Sequence, residues 1–273
     1  TAHADVNDST YVQGRLRSDM NFKDSKDANT YMEELIVHHQ FGDKVGVTLG
    51  RQDLTLGQTG TYYDDEFDGI IATFGSDKLA LDLGYGRFKS WDLKAADGSN
   101  TEAFLGRLYG STGRLSYINM AYNQGNVWGL GLTANITDKI DVFGDFYKNT
   151  DADNDPQVWT AGLGFGHTNW KKPGTFRVSA QYIDAEKGSV FGASTYNVSP
   201  IDEAISKTDV DYWLAQADVI LAKNVKLHGE YAFDVDAKDG SDYDNLATVS
   251  LNYVSEIHAK EKTSKGVFFV LEK

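Results

Sequence analysis

The side chains whose types and spacing could do chemistry are five arginines, Arg15, Arg17, Arg51, Arg107 and Arg177, and a run of four carboxylates, Asp64, Asp65, Glu66 and Asp68. The chemistry they suggest is electrostatic. Arginine is always charged, and carboxylates are charged at neutral pH. Facing each other across a narrow aqueous gap, the two sets would create a transverse field that orients polar solutes and excludes apolar ones, as at a pore constriction. The competing reading makes the acidic run a solvated external loop and the arginines ordinary ion pairs. Covalent chemistry finds no support, because no G-x-S-x-G elbow is present. His38 and His39 are adjacent and point to opposite faces of a strand, so they cannot share a metal. Asp151, Asp153 and Asp155 begin like a calcium loop, but Pro156 stands where glycine is needed and Gly162 where the bidentate glutamate belongs. Between Asp234 and Asp244, Gly240 falls one place late for the same motif. Solvated turns account for both stretches, and no catalytic residue, metal ligand or cofactor is expected.

The elements that must position these side chains are alternating strands. From residue 45, Val45, Val47 and Leu49 alternate with Gly46 and Thr48, so one face is apolar and the other small or polar. Past Gly50 the apolar positions become Leu54 and Leu56. A bulge near Gly50 and Arg51 would explain that slip and would turn Arg51 toward the polar side. The acidic insert 57–68 follows, and then a second hairpin puts Leu79, Leu81, Leu83 and Tyr85 on its apolar face. Elsewhere Val12 and Leu16 oppose Gln13, Arg15 and Arg17, while Leu35, Val37 and Phe41 oppose Glu34, His38 and Gln40. Trp128, Leu130 and Leu132 oppose Gly129, Gly131 and Thr133, and Phe176 and Val178 oppose Arg177 and Ser179. Arg107 and Arg114 fall on the polar face of weaker patterns. About 15 such strands follow an N-terminal remnant, Thr1 to Asp5.

Composition agrees with a membrane barrel. The 273 residues include 27 Gly, 29 Tyr plus Phe, 3 Pro and no Cys, which excludes disulfides and thiolate metal sites. A mean hydropathy of -0.43 excludes a bundle of apolar helices, because no run of about 18 apolar residues exists. It suits a barrel in which only every second residue meets lipid. The net charge of -14 disfavours nucleic acid as a partner and predicts a weak preference for cations in a channel. The chain opens without a signal-peptide pattern and ends on Lys273 without a terminal aromatic. The expectation is therefore one barrel domain over residues 1–273, lacking residues at both ends.

Connections alternate in length. Long polar ones (19–29, 57–68, 88–100, 149–156, 185–207 and 235–243) interleave with tight ones such as FGDK, GSDK and STGR, which predicts long external loops and short periplasmic turns. The connections NQGN and SEIHAKEKTSK fit this rule poorly. Aromatic residues at strand ends, among them Tyr31, Tyr85, Trp91, Tyr122, Trp128, Trp159 and Trp213, suit two interfacial belts. Small inner residues, Gly129, Gly131, Gly162, Gly164 and Gly166, leave room and favour an open channel.

The run FGDKVGVTLGRQDLTLGQ, continued by YYDDEFDGIIATFGSDKLALDLGYGRF, resembles the OmpM-type porin barrel, whose N-terminal S-layer-homology domain tethers the outer membrane to the cell wall. It is similar, more loosely, to general trimeric porins, in which a strand bearing Gly-Arg-Gln precedes the third loop. The resemblance implies an all-β transmembrane antiparallel barrel of about 16 strands in the bacterial outer membrane. It implies a homotrimer among lipid and lipopolysaccharide that passes small hydrophilic solutes by diffusion, with residues 57–68 as the inward third loop if a first hairpin precedes this sequence and residues 88–100 in that position if none does. The cell-wall tether belongs to an N-terminal domain absent from this sequence. Two other readings compete: an outer-membrane barrel enzyme of lipase or protease type, and a plugged structural barrel that anchors the outer membrane.

Overall fold

Alternation along each strand dictates a sheet with one apolar and one polar face, and such a sheet is stable as a barrel wall between lipid and water. The structure, a computed structural model, describes residues 1–19, 29–76, 78–89, 99–120, 125–190, 194–204, 207–256 and 262–270. Trp91 and Tyr122, and most of the connections 19–29 and 88–100, lie outside the described residues. The strands are β1 (Ala2–Asn7), β2 (Thr10–Asp19), β3 (Asn29–Phe41), β4 (Val45–Leu56), β5 (Tyr63–Ser76), β6 (Leu79–Phe88), β7 (Glu102–Gly110) and β8 (Gly113–Met120). They continue as β9 (Asn126–Asn135), β10 (Ile140–Asn149), β11 (Gln157–Gly166), β12 (Phe176–Ala185), β13 (Val210–Ala222), β14 (Val225–Ala237), β15 (Leu246–Glu256) and β16 (Lys262–Val270). A five-residue helix, α1 (Pro200–Ala204), lies in the connection between β12 and β13. All 16 strands form one antiparallel sheet in sequence order, each paired with its chain neighbours. This up-and-down order is the one that short turns and longer loops at opposite ends produce.

The expected apolar skin is present. On β6, Leu81 and Leu83 are 38% and 40% exposed while Asp82 between them is 1% exposed, an alternation that only a two-faced wall produces. Leu35, Val37, Leu49, Ile70, Phe104, Trp128, Leu130, Leu163, Val178 and Leu251 continue this outer band around the sheet. Phe165 packs near Phe176, and Trp159, Tyr182 and Trp213 form a chain of rings across three strands.

One part of the register differs from expectation. The pairing of β3 with β4 runs from Phe41 opposite Val45 to Leu35 opposite Arg51 without a shift. The pairing of β4 with β5 runs equally unbroken from Val45 opposite Phe74 to Leu56 opposite Tyr63. No bulge therefore changes parity at Gly50, although its φ of 126° and the Leu35 carbonyl that a Cβ would strike make glycine the residue for that position. Arg51 stays on the same face as Leu49, and Leu54 and Leu56 turn inward. They can do so because the barrel interior holds an apolar cluster, in which Leu54, Leu56, Tyr63, Phe67, Phe88 and Leu105 are all buried. The acidic run is also not a loop: Asp64, Asp65, Glu66 and Asp68 belong to the first turnless stretch of β5. The register shift in this region lies instead in the pairing of β2 with β3, between Arg15 and Leu16.

Candidate functional site

The inner face of β10 is where the interior is built. Its outward residues Val142 and Phe146 are exposed, so by period two Asp141, Asp145 and Tyr147 face inward, and all three are buried. The connection 57–62 folds against them. Asp145 accepts hydrogen bonds from Gln58 N at 2.7 Å, Thr59 N at 2.8 Å and Thr59 Oγ1 at 2.5 Å. Tyr62 stacks on Tyr147 with ring centres 4.1 Å apart. A carboxylate accepting two backbone N–H groups satisfies donors that a loop inside a barrel would otherwise leave unpaired. From the neighbouring wall, Arg107 donates to the Thr55 carbonyl at 2.9 Å and Arg114 at 3.4 Å. The tip of the β4–β5 hairpin thus crosses the barrel interior.

A second segment, 194–201, meets the first. Sequence reasoning took it as part of an external loop. Glu230 on β14 accepts from Asn197 N at 2.8 Å and Val198 N at 3.1 Å, repeating on another wall what Asp145 does for residues 57–62. The Tyr196 hydroxyl donates to the Thr59 carbonyl and accepts from Gln181 Nε2 on β12. Thr195 N donates to Gly60 O at 3.2 Å, and the Thr61 and Tyr196 hydroxyls are 3.1 Å apart. Burial raises the pKa of the Tyr196 phenol and holds that of Tyr62 well above the ordinary tyrosine range, so both remain protonated. The signal for this segment was present in its apolar residues: Tyr196, Val198 and Ile201 are out of place in a solvated loop and are buried here. Nothing in local spacing marks Asp145 or Glu230, because their loop partners are about 30 or more residues away.

The predicted charged residues come together only in part. Arg51 and Asp68 form a two-pronged pair, both bonds 2.7 Å, but as direct cross-strand partners rather than across a gap. They share a cross-strand row with Leu35, Arg87 and Glu102, and Tyr85 of the outer band donates to Glu102 at 2.6 Å. That row extends the outer face beyond the apolar band. Asp65 and Glu66 pair with Lys89, and Asp64 accepts from Thr55. Arg15 is held by Glu33, Glu34 and Asp53, and Arg17 by Asp19 and Glu33. Arg107 and Arg177 do face inward, but their carboxylates come from the wall: Asp82 at 2.6 Å and Asp141 at 2.6 Å. The physical reason is proximity: Asp82 lies on the strand adjoining that of Arg107, and Arg177 on β12 reaches Asp141 on β10 by lying over Gly164 of β11, which has no side chain in the way. The segment that faces the wall across the interior is uncharged, Gln58 to Tyr62.

The inner glycines also play a different part from the one expected. A Cβ on Gly129 would strike the Tyr147 ring, on Gly131 the Asp145 carboxylate, on Gly162 the Phe143 ring and on Gly164 the Arg177 guanidinium. Gly129 and Gly131 thus make room for Tyr147 and Asp145, which hold segment 57–62, and Gly162 and Gly164 make room for Phe143 and Arg177 on the inner wall. Beside those segments a cavity of about 250 Å³ remains, lined by Gln58, Thr59, Thr195 and Tyr196 from the segments and by wall residues including Thr133, Phe143, Arg177 and Ser179.

No family model matches the chain, and no curated protein matches it in sequence. Among solved structures it is similar to OpdL of Pseudomonas aeruginosa, with a TM-score of 0.51 and 13% identity over 95% of this chain and 81% of that one. It also aligns with OprD of the same organism (TM-score 0.49, 12% identity, 96% and 80% covered) and with OpdQ (0.49, 11%, 95% and 82%). At such identities the likeness is one of fold. The chain shares the all-β antiparallel barrel fold of OpdL.

Proposed function

We propose that this chain is a channel of the bacterial outer membrane that lets small hydrophilic solutes diffuse through a water-filled barrel narrowed by segments 57–62 and 194–201. The observation that carries this reading is the pinning of residues 57–62 to the inner wall by Asp145, inside a cylinder whose outer face is apolar. A lipid-compatible skin around a polar interior is what a solute path across a membrane needs. Opposed charges at the narrowing take a paired form in this proposal: Arg177 with Asp141 and Arg107 with Asp82 offer both signs to a passing solute, which supports only weak ion selectivity. The finer kinship, to OmpM-type and general trimeric porins, belongs to the same proposal, as does a homotrimer, which crosslinking in detergent tests.

The apolar cluster inside the barrel favours a second reading, a plugged structural barrel. Planar-bilayer recording separates the two. The channel reading expects discrete current steps from the purified protein and a small reversal potential under a salt gradient. Insertion without current would establish the plugged barrel.

A further inference from the structure

The cavity beside the two inward segments is furnished for neutral ligands. Its ionisable pair, Arg177 and Asp141, is already joined by two bonds of 2.6 and 2.7 Å, so a charged ligand attracted by one member is repelled by the other. Breaking such a pair leaves a charge without its partner in a confined site, which is costly. The remaining polar lining consists of amides and hydroxyls: Gln58, Thr59, Thr133, Ser179, Thr195, Tyr196 and Gln216. Hydroxyls both donate and accept, which matches a ligand bearing several hydroxyls of its own. The volume, about 250 Å³, falls just under the roughly 300 Å³ at which sites for drug-sized ligands begin, so a single sugar ring suits it and an oligosaccharide does not.

We infer that this cavity is a binding subsite for a neutral polyhydroxylated solute of monosaccharide size, with the wall hydroxyls of Thr133 and Ser179 meeting solute hydroxyls; this rests on the channel reading above. The test uses the full chain in planar bilayers, with glucose as the neutral probe and gluconate and glucosamine as charged probes of like size. Glucose is expected to reduce the ion current in a saturating manner, with half-effect at a several-fold lower concentration than either charged probe. Thr133→Val is expected to raise the half-effect concentration of glucose about fivefold, the loss of one neutral hydrogen bond, and Ser179→Ala to raise it in the same direction. Each variant is compared with its own sugar-free current. Equal effects from all three probes, or a glucose effect that does not saturate and ignores both substitutions, would overturn the inference while leaving the channel reading intact. Inserted protein that carries no current would overturn the channel reading and the inference together.

Discussion

Replacing Asp145 by asparagine changes one atom and strikes the main attachment of the inward segment. The carboxylate accepts from Gln58 N, Thr59 N and Thr59 Oγ1 and is 6% exposed, so little water can stand in for it. Asparagine keeps one oxygen and presents an NH2 where the second oxygen was, so at least one loop donor meets another donor. A hydrogen bond to a charged group contributes about 1.5–3 kcal/mol, and an orphaned buried donor costs about as much as the bond it lost. The stack of Tyr62 on Tyr147, about 0.5–1.5 kcal/mol beyond its burial, and the bonds to Tyr196 are untouched. A net loss of about 2–3 kcal/mol shifts the balance between held and released segment by about 30- to 150-fold. Single-channel recording reads this as greater open-state noise and higher mean conductance in Asp145→Asn, with a larger effect when Tyr62→Ala is added. Identical conductance and noise in the wild type and the double variant would refute the reasoning that Asp145 holds the segment across the lumen.

Further outcomes follow from the same geometry. Asp141→Asn leaves Arg177 without its wall partner and should move the reversal potential toward anions, whereas Arg177→Gln should move it toward cations; shifts in one common direction would exclude the pair from the ion path. On the outer band, Leu83→Lys should lower the unfolding free energy in lipid by about 2–4 kcal/mol if Leu83 lies near the bilayer midplane. Urea titration in vesicles measures that cost, and a loss below about 0.5 kcal/mol would place Leu83 away from hydrocarbon.

Much of the wall was legible in the sequence because period-two alternation is a local property. Trp128, Leu130 and Leu132 on β9, and Leu79, Leu81 and Leu83 on β6, stand outward as their spacing requires. Arg107 and Arg177 face inward for the same reason. The interior was harder to read because it depends on distant partners. Leu54 and Leu56 look like a change of parity only if every inner position must be wet; given an apolar cluster to join, they keep parity and turn inside. Arg51 then follows the outer face, and the acidic residues expected to confront it in a loop become its strand neighbours. Residues 57–62 were expected to turn inward as part of a longer acidic insert, and they do so without the acids. The second inward segment shows in its apolar residues Tyr196, Val198 and Ile201, but its attachment to Glu230, 32 and 33 residues from Val198 and Asn197, has no local mark.

Purified protein reconstituted in a planar bilayer under a salt gradient gives the most direct measurement. Discrete, ohmic current steps with a reversal potential only slightly toward cations are the predicted result. Stable insertion accompanied by no current steps at any voltage would contradict a solute path through this barrel.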